Sequence, residues 1–160
     1  MDLGITGKTA LVTGGSRGLG RQCALSLAAE GVNVAICGRT KETLDRTATE
    51  LEALGVTAVP IVWDVSDTST VPDLHTEITS SLGEIDILIN NAAFARGPDR
   101  VPILELDDGI FQKVMDVKVL GTYLCTKAVI KVLKDQDQGG KIVNVASAAG
   151  KRGGASMLAY

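Results

Sequence analysis

Apolar residues fall along this chain in two alternating rhythms. Short unbroken runs suit buried strands, and longer stretches with a recurrence of three or four positions suit amphipathic helices. Residues 9–13 form the first run and end in glycines, which predicts a strand. Residues 17–30 predict a helix with Leu19, Cys23 and Leu27 on one face and Gly31 as its stop. Residues 32–37 predict a second strand. Thr40 then caps a helix that carries Leu44, Leu51 and Leu54 and closes at Gly55. Residues 58–63 predict a third strand, residues 66–82 a helix with Val71, Leu74, Ile78 and Leu82 inward, and residues 85–89 a fourth strand. After a loop with Pro98 and Pro102, Asp107 or Asp108 opens a long helix to about Lys134, and residues 141–145 predict the fifth strand.

Near-continuous apolar strands joined by helices imply a parallel sheet covered on both faces. Right-handed crossovers make the doubly wound α/β sheet its natural topology. A chain of 160 residues suits one domain, and no linker or low-complexity stretch divides it, so residues 1–160 are expected to form a single unit.

Composition narrows the function. Hydrophobic residues at 45% and charged residues at 22% are ordinary for a globular protein, and a net charge of -3 argues against general nucleic-acid binding. No apolar run approaches the roughly 18 residues of a membrane span. Met1-Asp2-Leu3-Gly4 does not resemble a signal peptide, so a cytoplasmic location is expected. Cys23, Cys37 and Cys125 lie far apart in apolar stretches and read as buried thiols of a reducing compartment. The lone histidine, His75, sits on the polar side of its predicted helix, and no Cys/His spacing suggests a metal.

The chemistry is concentrated where the first strand meets the first helix, in Thr13-Gly14-Gly15-Ser16-Arg17-Gly18-Leu19-Gly20. Glycines there let backbone approach a pyrophosphate, and the helix N-terminus supplies free N–H groups and a positive dipole end. Gly14, Ser16, Arg17, Gly18, Leu19 and Gly20 are therefore expected to hold a dinucleotide, with an ordinary turn as the plainer reading. The loop lacks the Gly-Lys-Ser/Thr ending of a nucleotide-triphosphate loop. The second strand ends Cys37-Gly38-Arg39-Thr40, without the acid that would bind an adenosine ribose. Arg39 and Arg17 could together hold a 2′-phosphate, which selects NADP; alternatively both are surface residues at helix ends. The missing acid also counts against an S-adenosylmethionine site.

The glycine loop resembles the TGxxxGxG loop of short-chain dehydrogenases/reductases, among them the 3-oxoacyl-[acyl-carrier-protein] reductases, and the resemblance runs the length of the chain. It implies a Rossmann-type sheet with its C-terminal strands and helices missing after residue 160. Trp63-Asp64-Val65 resembles the segment whose aspartate contacts the adenine amino group, which assigns Asp64 and Val65 to the cofactor; a helix cap is the other reading of Asp64. Asn90-Asn91-Ala92-Ala93 is similar to the NNAG motif, with Ala93 for glycine. It implies a structural Asn90, with Asn91 and Ala92 beside the cofactor, Ala92 through its backbone. Residues 142–150 resemble the NxSSxxG segment, in which Ser147 matches the catalytic serine. Tyr160, 13 residues on, matches the proton-donating tyrosine.

The resemblance implies hydride transfer between NADP(H) and a small carbonyl or alcohol substrate, and a homo-oligomer packed through the helix from Asp107 to Lys134. Two departures stand against it. The family's lysine, four residues past the tyrosine, would lie beyond Tyr160. Lys118 replaces the asparagine that holds a relay water, and reads as a substitute, a sign of lost activity, or a solvated helix residue. A non-catalytic NADP-binding regulatory module or an inactive fragment is therefore the rival reading. Without later strands, the apolar face of the fifth strand should be exposed.

Overall fold

The computed structural model describes residues 3–67, 69, 71–94, 97–135, 139–152, 158 and 159. Five parallel strands form one sheet: β1 (Thr9–Thr13), β2 (Asn33–Gly38), β3 (Ala58–Val62), β4 (Ile87–Asn90) and β5 (Lys141–Asn144). Their order is β3-β2-β1-β4-β5. The chain builds outward from β1 to β3, then returns to lay β4 on the other side of β1, with Ala10 beside Ile87 and Leu11 beside Leu88. That reversal parts the loops at the C-terminal ends of β1 and β4, where a doubly wound sheet has its crevice. The expected α/β topology is the one that forms.

Strand alternation divides the core into two layers. Ala10, Val12, Val34 and Ile36 pack toward α1 (Gly18–Ala29) and α2 (Lys41–Glu52). Leu11, Ala35, Cys37 and Leu88 pack toward α3 (Val71–Leu82) and the long helix on the opposite face. Leu11, Ile36 and Leu88 are fully buried, each contributing about 1.5–3 kcal/mol of transfer free energy. Burial pushes the Cys125 thiol up to about 12 and raises Cys37 further, with Cys125 nearby, so both stay protonated and inert.

Four local features depart from the hydrophobic pattern. The buried face of α1 is Gly20, Ala24 and Ala28, one position on from the expected stripe; Leu19 is 59% exposed, and Cys23 and Leu27 are half-buried. Small residues win that face because they let the helix lie close against the sheet. The second helix stops at Glu52, and Leu54 is exposed. Thr40 occupies its N-cap without a side-chain cap bond; instead the Thr43 hydroxyl donates to the Thr40 carbonyl at 2.9 Å.

The third helix begins at Val71 and not at residue 66. Asp64 and Asp67 each accept from the N–H and hydroxyl of the serine two residues on, at 2.6–3.0 Å. Such turns compete with helical backbone bonds. The side chains of Val71, Leu74 and His75 lie outside the described residues. The long helix opens at Asp107, whose carboxylate accepts from Ile110 N at 3.0 Å. It runs as α4 (Asp108–Met115), a single π turn (Asp116–Leu120) and α5 (Gly121–Asp135). The π turn has no signature in the apolar spacing.

At the other margin β5 is an edge. Ile142 packs against the long-helix layer, whereas Val143 and Val145 are 48% and 39% exposed, as expected for an uncovered face. Among the described residues no helix is long and apolar enough to cross a membrane. Val143→Lys and Val145→Lys should leave stability within about 0.5 kcal/mol, as surface changes do, while reducing self-association through this edge. Urea melts and light scattering measure the two effects separately, and a large loss of stability would mean that the face is covered.

Candidate functional site

The crevice owes its shape to Thr13, the last residue of β1. Its hydroxyl oxygen accepts from the backbone N–H of Asn91 and of Ala92, at 2.9 and 3.0 Å, and the hydroxyl donates to Ile89 O at 3.3 Å. Asn91 answers from β4's side: its Nδ2 donates to the carbonyls of Thr13 and Gly14, at 3.0 and 3.2 Å. The two strand ends are thus tied by side chains after their ladder ends. Buried Asn90 makes a second tie, donating from Nδ2 to Thr126 Oγ1 and Asn144 Oδ1 at 3.0 and 2.8 Å. Among the described residues its own Oδ1 finds no donor, a cost of about 1–3 kcal/mol for a fully dry group.

Past Thr13 the chain turns through Gly18 at φ 57°, a left-handed conformation that favours glycine, and enters α1. Arg17 is the N-cap, extended and without a side-chain cap bond, and no acidic residue occupies the first turn. The helix therefore presents uncapped N–H groups and its positive end to the crevice. Gly20 lies beneath the loop, where an added Cβ would strike the Gly14 carbonyl and the Asn91 amide. Only a residue without Cβ allows helix, loop and β4 to meet this closely.

The resulting cleft has a volume of about 410 Å³. Gly14, Ser16, Arg17 and Gly18 line it from the glycine loop, Arg39 from the end of β2, Asp64 and Val65 from the end of β3, and Asn91 and Ala92 from β4. Nine of the sequence-derived site residues thus converge from four strand ends. Leu19 and Gly20 are not in the wall: Leu19 is exposed beside it and Gly20 supports it from below. The N–H of Ala92 is engaged by Thr13, which leaves its other atoms to face the cleft. Trp63, Thr43 and Val117 also line the cleft and were not singled out from the sequence. Trp63 could have been found, since it precedes Asp64; Val117 is brought in by the π turn, which the sequence does not announce.

The charges are unevenly distributed. Arg17 and Arg39 are exposed at the cleft. Asp64 is partly buried, which works against its charge, but hydrogen bonds from the Ser66 hydroxyl and N–H, together with the Arg39 guanidinium nearby, hold its carboxyl below the usual range. Ser147 lies outside this lining, at the start of a short 3-10 turn (Ala148–Lys151), where its hydroxyl oxygen accepts from Ala149 N at 3.1 Å. Tyr160 is outside the described residues. Among the described residues no group of His, Cys, Asp and Glu could hold a metal.

Comparison with known proteins agrees with this geometry. The family model described as short chain dehydrogenase matches residues 8–160. Sorbitol dehydrogenase of Cereibacter sphaeroides is 38% identical over 156 residues, spanning 98% of this chain and 59% of that protein. A 3-oxoacyl-[acyl-carrier-protein] reductase of Synechocystis is 35% identical, spanning 98% of this chain and 62% of that protein. The crystal structure of NAD+-bound xylitol dehydrogenase superposes with a TM-score of 0.91 at 33% identity, covering 98% of this chain and 59% of that one. The chain therefore spans about three-fifths of the length of these relatives.

Gly20→Ala tests whether the close approach matters. The forced shift of loop and helix should cost about 1–3 kcal/mol, as overpacking does, read as a lowered midpoint in urea or thermal unfolding. A neutral result would show that the loop can move aside.

Proposed function

This chain belongs to the short chain dehydrogenase family, and from that premise we propose that it is the cofactor-binding part of an NADP(H)-dependent oxidoreductase acting on a carbonyl or alcohol. One observation carries the reading. The uncapped N-terminus of α1 opens at the β1/β4 crevice, flanked by Arg17 and Arg39, with Gly38 and no acid at the end of β2. The close approach at Gly20 makes room for a pyrophosphate without side-chain obstruction, so the residues present fit a dinucleotide.

In this reading the N–H groups of the loop and of Gly18 hold the pyrophosphate. Arg17 and Arg39 hold the 2′-phosphate by charge-assisted hydrogen bonds that NAD cannot offer. Asp64 and Val65 flank the adenine, and Asn91 with Ala92 walls the far side. The bound nicotinamide supplies or accepts the hydride. Ser147 already has its hydroxyl oxygen occupied by the Ala149 N–H, so its proton is free to be donated to a substrate oxygen. Tyr160 is the proton donor; with an ordinary pKa near 10 a tyrosine needs a nearby positive charge to work at neutral pH.

Residues 1–160 act in this reading as one dinucleotide-binding unit, with a cytoplasmic setting to match its free thiols. Val119, Tyr123 and Ile130, spaced along one face of the long helix, are 56%, 56% and 44% exposed, which supports packing against a second copy. Tyr123→Glu should then lower the sedimentation mass of the purified chain, and an unchanged mass would remove this face from the assembly.

Trp63 is the only tryptophan and lines the cleft, so its fluorescence reports binding directly. NADPH should bind the purified chain about tenfold or more tightly than NADH, a difference of roughly 1.4 kcal/mol. Arg39→Asp should reverse that order. Equal affinity for the two cofactors, or no effect of the substitution, would defeat the NADP assignment.

A further inference from the structure

The arginines are not alone at the adenosine end of the cleft. Gly38 at the end of β2 pairs with Val62 of β3, and the Trp63 N–H donates to the Gly38 carbonyl at 2.8 Å. Arg39 follows Gly38 and Asp64 follows Trp63 on these adjacent strand ends, and both line the cleft. The strand ends thus bring the Arg39 guanidinium close enough to favour the Asp64 charge. Among the described residues no ion pair joins them directly. Lys41, the next cation along the chain, is engaged by Asp45 at 2.6 Å and adds little to this corner.

The Asp64 carboxylate is held in place by its own turn. Oδ1 accepts from Ser66 N at 3.0 Å and from the Ser66 hydroxyl at 2.7 Å. Its negative charge is thus fixed beside Arg39, at the end of the cleft where a 2′-phosphate would be held. A like charge so placed repels a phosphate dianion and offsets part of the field of Arg39.

We propose that Asp64 is a second determinant of cofactor selectivity, whose charge opposes a 2′-phosphate and holds the preference for NADPH below what Arg17 and Arg39 alone would give. The inference rests on the NADP reading above. It separates two consequences of one side chain. Any contact between Asp64 and adenine is common to both cofactors and cancels in the ratio of their affinities. Only the charge effect on the 2′-phosphate survives in that ratio.

Asp64→Asn keeps an Oδ1 acceptor for Ser66, so the turn and the fold are retained, which a thermal melt verifies. Dissociation constants for NADPH and NADH, read from Trp63 fluorescence on the whole chain, then give the ratio for wild type and variant. The NADPH preference should rise about three- to tenfold in the variant, on the scale of one partly screened charge. That gain should shrink as salt is raised from about 0.05 to 0.5 M, because the shorter Debye length screens the charge at this exposed corner. A preference for NADPH in wild type that Asp64→Asn leaves unmoved, or lowers, overturns this inference and leaves the NADP reading standing. A wild-type ratio near one takes down the NADP reading and this inference with it.

Discussion

The cleft depends on how β1 and β4 are tied together at the point where they stop being a sheet. Parallel strands that diverge leave backbone groups without ladder partners, and buried groups of this kind must find others. Thr13 and Asn91 satisfy them reciprocally: one hydroxyl serves two N–H groups across the gap, and one amide serves two carbonyls coming back. This exchange fixes the position of the glycine loop relative to the β4 end. The N-terminus of α1 is aimed by it in turn, because Gly20 is pinned between the Gly14 carbonyl and the Asn91 amide. Loss of either side chain would leave several buried groups unpaired at once, so the clamp is cooperative in the sense that partial satisfaction costs more than its absence.

From that clamp outward the fold is unequally finished. β1 is flanked on both sides and covered on both faces, and its five residues are all buried. β5 is flanked on one side, and of its residues only Ile142 is even half-buried. The long helix serves both margins: Cys125, Val129 and Leu133 enter the core, while Val119, Tyr123 and Ile130 face outward. A helix with apolar residues on two faces is suited to lie between two surfaces. Here one of them is the sheet.

Much of this was legible in the sequence because buried parallel strands impose a strong and simple pattern. All five strands, the helices between them and the convergence of Gly14, Arg17, Arg39, Asp64 and Asn91 follow from apolar runs and from what stands at their ends. The misreadings share a cause. Counting large apolar residues put Leu19 inside α1, but contact distance chose Gly20, Ala24 and Ala28. Periodicity extended the third helix back to residue 66, but two aspartates had already committed the backbone to turns. The π turn inserts one residue into a helix whose composition is unremarkable, and with it Val117 enters the cleft wall. Periodicity measures burial well; it does not measure how close two backbones come, nor what a side chain does to its own main chain.

On the proposed reading, the arrangement also separates binding from chemistry in space and along the chain. Every described residue of the cleft wall lies between Gly14 and Val117, on segments anchored to strands β1 to β4 or the long helix. Ser147 stands on the continuation of the edge strand, exposed, held by its local turn through Ala149 and by the register that Asn90 and Asn144 impose on β5. The stability of the two regions is correspondingly unequal, since local opening is easiest where few buried contacts hold the backbone. Between the cleft and Ser147 run the Asn90–Asn144 bond, the β4–β5 ladder and the packing of Ile142 in the long-helix layer. The position of Ser147 therefore depends on what braces β5 from its open side, whereas the cleft wall depends on groups already fixed by Thr13 and Asn91.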